Sequence, residues 1–138
     1  MKRENFCFTF DSYSQAIENL KIIQNNHLRP ILFIKYYQIN KFGIDWLIQL
    51  KDMLAYELKS KNFKIYVDAN TNYGLFINLV EKKINFIKIK ANKEMRKKLN
   101  HIANLNKVSI NPKFSVLDLS KSKKKFLDLK NFNKKNTR

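Results

Sequence analysis

The chain has 138 residues with two glycines, one cysteine and a formal net charge of +17. That length suits one domain able to bury roughly two thirds of its unfolded surface without a disulfide or a metal. A single thiol excludes an internal disulfide and any zinc site built on paired cysteines. Glycines only at positions 43 and 74 exclude a dinucleotide fingerprint or a P-loop, which need at least two glycines in one turn.

Phe6, Phe8 and Phe10 alternate with Cys7 and Thr9, the period of a short first strand with an aromatic face. Ser12 followed by Gln15 is a capping box, and Tyr13, Ala16, Ile17, Leu20 and Ile23 trace a helical stripe that stops at Asn25-Asn26. Arg29-Pro30 disfavours helix, and the unbroken apolar run Ile31 to Ile34 has the pattern of a strand covered on both faces at the centre of a parallel sheet. A polar connection, Gln38 to Gly43, then leads into a long helix from about Ile44 to Ser60, with Ile44, Leu47, Ile48, Leu54 and Leu58 on its buried face. Glu57 and Lys61 are spaced for a surface ion pair on that helix.

The stretch from Phe63 to Lys90 organises the chain. Phe63, Ile65 and Val67 alternate with polar residues; Asn70, Thr71 and Asn72 offer capping oxygens; Leu75, Phe76, Leu79 and Val80 follow at helical spacing, and Phe86, Ile87 and Ile89 return to an extended pattern. Strand, helix and strand in so few residues form a parallel βαβ unit, whose crossover needs about a dozen residues. Asn92 caps a further helix carrying Met95, Leu99, Ile102 and Ala103; Val108 to Ile110 is a short strand, and Phe114 to Leu119 suits an edge strand. The fold expected is α/β: one domain over residues 1–119, four to six mostly parallel strands alternating with helices. Residues 120–138 hold eight Lys/Arg against one acid and few apolar anchors, the composition of a mostly disordered basic tail.

The basic start is followed by an apolar stretch broken at Asp11, too early for a signal-peptide core. The apolar runs Ile31 to Ile34 and Tyr73 to Val80 fall short of the roughly 20 residues of a membrane span. A soluble cytoplasmic protein is expected. Residues 1–81 carry a net +2 and residues 82–138 a net +15. Such a field attracts polyanions. AT-rich codons enrich Lys, Asn, Ile, Phe and Tyr whatever the protein does, which accounts for the number of lysines but not for their place in the second half.

The order of elements over Asn40 to Lys90 resembles the core of STAS-type regulatory domains: a strand, a turn, a long helix, a strand, a second helix and another strand. The strand Ile31 to Tyr37, the turn Lys41-Phe42-Gly43-Ile44, the helix to Ser60, and the segments Phe63 to Asp68, Tyr73 to Lys83 and Phe86 to Lys90 carry the match. Two departures stand out. Such turns commonly carry a phosphorylatable Ser or Thr, whereas Asn40-Lys41-Phe42-Gly43 has no hydroxyl, and a helix separates the first two strands where those domains open with a strand pair. Val67-Asp68 followed by a helix containing Gly74 is also similar to a family of small bacterial α/β proteins with no assigned activity. The STAS resemblance implies a non-catalytic module that binds a protein partner through Asn40, Lys41, Phe42, Gly43 and the helix that begins at Tyr73.

Two other readings compete. Lys93, Arg96, Lys97 and Lys98 on one helix, with Lys121, Lys123, Lys124 and Lys125 in the tail, could contact RNA or ribosomal phosphates, or simply be a solvated surface. Lys35, Asp68 and Lys90 lie near carboxyl ends of strands, where parallel α/β sheets bind ligands; they are candidate catalytic groups, a lysine nucleophile or phosphate clamp with a carboxylate base, or ordinary strand-end charges. His27 and His101 lack the clustered partners of a metal site, Cys7 suits a core position, and no residue pattern implies a cofactor.

Overall fold

The computed structural model describes residues 4–119. The tail and its lysine cluster Lys121, Lys123, Lys124 and Lys125 lie outside these residues. The described chain alternates strand and helix through β1 (Asn5–Phe8), α1 (Tyr13–Asn25), β2 (Arg29–Ile34), α2 (Tyr36–Leu58), β3 (Lys64–Asp68), α3 (Tyr73–Glu81), β4 (Phe86–Lys88) and α4 (Lys93–Leu105), then β5 (Ser109–Ile110) and β6 (Val116–Leu117). Every strand pair is parallel, in the sheet order β5-β4-β3-β2-β1-β6.

From β1 to β5 each crossover steps to the adjacent strand in the same direction. Because such crossovers share one hand, repeated steps in one direction place their helices on one face. Packing agrees: Phe6, Phe8, Phe10, Leu32, Ile34, Ile65, Val67, Ile87 and Ile89 join residues from all four helices in one core. The alternate strand residues, Cys7, Ile31, Phe33 and Tyr66, face the other way and form a second, smaller cluster with Phe86 and Phe114. No helix of the described residues covers that face. The link from β5 to β6 runs over it as a strap, and Phe114 seals the cluster, its ring edge-on to Phe86 at 4.9 Å and to Tyr66 at 6.2 Å between centroids. Both sides of the central strand β2 are thereby buried, as its apolar run requires.

Asparagines close the turns. Asn72 and Asn92 accept from Leu75 N–H and Met95 N–H to cap α3 and α4. Asn111, in a left-handed conformation at φ 47°, donates to the Ile89 carbonyl and accepts the Ile89 N–H, extending β4 with a side chain and starting the strap. Ser12 caps α1 through Gln15 N–H, but the Gln15 side chain accepts from Asp11 N–H, one residue earlier than a capping box would use.

Three local expectations need correcting. The segment Gln38 to Phe42 is helical, part of the first turns of α2, which begins at Tyr36, so β2 ends at Ile34 rather than Tyr37. Gly43, with φ 87° and ψ 175°, breaks α2 into two helical pieces. Glu57 does not pair with Lys61, which lies beyond the helix end; it takes Lys21 of α1 at 3.7 Å and the Tyr13 hydroxyl at 3.1 Å, joining α1 to α2.

Candidate functional site

The carboxyl edge of a parallel sheet gathers loops and helix starts, so a site is looked for there first. At the head of α2, Gln38 is buried and fully used: its carbonyl oxygen accepts the Lys35 N–H at 2.9 Å and its amide donates to the Phe10 carbonyl at 2.9 Å. This bond pair fixes the first turns of α2 to the end of β1. The break at Gly43 then redirects the helix, and Phe42, just before it, is left 50% exposed. Its ring packs at 5.0 Å on Trp46 in the next turn, with the Lys41 ammonium 5.3 Å from its centroid.

Beside this break lies the start of α3. Ile39, Asn40 and Ile44 on one side and Asn72, Gly74, Leu75 and Asn78 on the other line an open groove of about 480 Å³. Tyr73, which precedes Gly74 at the start of α3, is exposed, with its hydroxyl donating to the Lys90 carbonyl at 3.4 Å. The two segments named from the sequence as a partner surface, Asn40 to Gly43 and the helix from Tyr73, are therefore neighbours.

The strand-end triad is less convergent. Lys35 follows β2 and its ammonium lies 3.5 Å from Asp11, whose carboxylate also accepts from the Tyr37 hydroxyl. Asp68 closes β3 with one oxygen held by the Asn70 N–H at 2.9 Å, as a turn-opening aspartate would. The Lys90 backbone N–H donates to the Asn70 carbonyl, while its side chain belongs to a cavity on the β4 side. Lys35 and Asp68 thus have side-chain partners that account for their positions, and Lys90 has one through its backbone alone.

Lys93, Arg96, Lys97 and Lys98 are exposed on α4, opposite Leu99 and Ala103. The Arg96 guanidinium donates to the Ala91 carbonyl at 3.3 Å, and none of the four forms an ion pair among the described residues. Cys7 is buried, and burial pushes its thiol up to about 12, so it stays a neutral core group at ordinary pH. No group of three His, Cys, Asp or Glu side chains that could hold a metal ion occurs among the described residues. No helix of the described residues is long and apolar enough to cross a membrane.

Sequence reasoning missed Tyr66, Lys88, Asn111 and Pro112, which meet Lys90 and Arg96 around one cavity. The available signal was the phase of β3 and β4: Tyr66 and Lys88 sit out of step with Ile65, Val67 and Ile87, and so on the face without helices. Compared with known proteins, the sequence matches no family model and no curated protein. The functional reading therefore rests on the geometry.

Proposed function

We propose that the protein is a non-catalytic module that binds a protein partner through the groove between the break in α2 and the start of α3. The observation that carries this reading is Phe42: a large apolar ring left half-exposed by a helix break, beside a groove with apolar walls and amide rims. An aromatic anchor next to a pocket and ringed by polar side chains is the composition of an interface hot spot. The STAS-like order of elements points to the same segment, with the missing turn hydroxyl removing phosphorylation there as a means of control.

A photo-crosslinking residue placed at position 42 or 73 in cells is expected to yield the same discrete adduct, absent when the probe replaces Tyr56, which is exposed on α2 away from the groove. Once that adduct is identified, Phe42→Ser should weaken the purified complex by about 2 kcal/mol, roughly thirtyfold. Adducts that are equal at all three positions would sink the reading.

A second reading is favoured by the unpaired basic face of α4: association with RNA through Lys93, Arg96, Lys97 and Lys98. Phosphate contacts of this kind are independent of sequence and weaken with salt. Changing Lys93, Lys97 and Lys98 to Gln should lower the slope of log affinity against log salt by about 3. An unchanged slope would leave these lysines as solvated surface.

A further inference from the structure

On the helix-free side of the carboxyl edge lies a cavity of about 480 Å³ at the end of β4, distinct from the groove beside Phe42. Lys88, Lys90 and Arg96 line it, together with Ile89, Ala91, Asn111, Pro112 of the strap, and Tyr66. All three are exposed, so water and salt screen their mutual repulsion, but an anion seated among them would meet all three charges. No carboxylate does so: none of the three forms an ion pair among the described residues, and none lines the cavity. Asp68, the register neighbour of Lys88, directs an oxygen to its own Asn70 N–H.

Tyr66 supplies an independent sign. The residue is only 4% exposed, its ring held edge-on by Phe33 at 4.9 Å and packed against Phe86 and Phe114. Its hydroxyl nevertheless has no hydrogen-bond partner among the described residues. The ring is packed, but the hydroxyl oxygen keeps access to solvent at the cavity, where it is placed to donate to a bound group. Burial, and then the charges of Cys7 and Asp68, push its ionisation up to about 12, so it remains a proton donor.

We propose that this cavity binds a phosphate group carried by a small phosphomonoester, with Lys88, Lys90 and Arg96 meeting its charge and the Tyr66 hydroxyl donating to it. A terminal phosphate carries up to two negative charges and three acceptor oxygens, a closer match to three cations and a phenol than the single charge of a phosphodiester. The site is separate from the partner groove and does not depend on it.

The test uses the full chain, titrated calorimetrically at fixed ionic strength with inorganic phosphate, with glycerol 3-phosphate, and with a single-stranded RNA oligomer lacking terminal phosphates. Saturable one-to-one binding of glycerol 3-phosphate is expected, with the RNA a poor competitor. Changing Lys88, Lys90 and Arg96 together to Gln should weaken it about tenfold or more, as loss of charge-assisted hydrogen bonds does. Changing Lys51, Lys59 and Lys82 to Gln removes the same charge elsewhere and should leave it within about twofold, and Tyr66→Phe, which keeps the ring, should weaken it about threefold or more. The assignment is overturned by absent or non-saturable binding, by equal losses in the two charge-matched triple variants, by full affinity in Tyr66→Phe, or by RNA that competes as well as the phosphomonoester.

Discussion

Phe8→Ala is expected to shift the unfolding midpoint of the protein sharply downward. Phe8 has no exposed surface and lies on β1, between β2 and β6, with its ring in the core beneath the helices. Truncating a buried phenylalanine costs about 3–5 kcal/mol, from lost burial and from the cavity left behind. A domain of this size has roughly 5–15 kcal/mol in all, so the loss consumes much of its stability. It is also hard to relax, because Phe6 and Phe10 flank it on the same face and Leu20 and Leu32 are already fully buried in that core. Urea denaturation followed by circular dichroism gives the measurement. A midpoint close to that of the unmodified protein would mean that β1 is not part of the core, and the sheet order given above would fail with it.

The fold was legible in the sequence because periodicity changes at nearly every element boundary. Phe6-Phe8-Phe10 and Ile65-Val67 alternate, Ile31 to Ile34 does not, and the capping residues Ser12, Asn72 and Asn92 lie where the helices begin. What could not be read depends on contacts between distant residues. Glu57 has a suitable partner four residues on in Lys61, but α2 ends before it, and Lys21 and Tyr13 of α1 are brought alongside instead. Gln38 looks like loop polarity until its amide is seen to bridge the end of β1 and the start of α2. That bridge turns an apparent connection into helix.

The carboxyl edge shows the same division. Asn40 to Gly43 and Tyr73 were named as a surface from the order of elements, and the structure adds that Asn40 and the first turns of α3 line one groove. The cavity around Lys88 was not legible, because Asn111 and Pro112 reach it through the pairing of β5 with β4 and the Asn111 bonds to Ile89, at the point where the strap starts back across the sheet towards β6. No local pattern in residues 111–117 specifies that course. Phe114 does, through its fit against Phe86 and Tyr66.

The two glycines should respond to alanine with opposite signs. Gly43 has φ 87° and ψ 175°, a region of backbone space used almost solely by glycine, and no atom would lie within 4 Å of an added Cβ. The penalty at Gly43→Ala is therefore torsional rather than steric, about 1–3 kcal/mol. Relief by straightening α2 is blocked at one end by Gln38 and at the other by Leu47, Leu50 and Leu54, which are buried against the sheet. Gly74 has no such constraint: it lies in the first turn of α3 without a positive φ, and its added Cβ would meet the Asn72 side chain at an ordinary 3.6 Å. There alanine removes glycine's entropic cost in a helix and should be neutral or stabilising by up to about 1 kcal/mol. Paired denaturation curves decide the matter, and a Gly43→Ala midpoint no lower than that of the unmodified protein would show that the break in α2 is not held by its glycine. The surface beside Phe42 depends on that break. Gly43→Ala should therefore also reduce crosslinking at position 42 under conditions where the protein remains folded, while Gly43→Ala with crosslinking intact would separate the groove from the helix geometry that presents it.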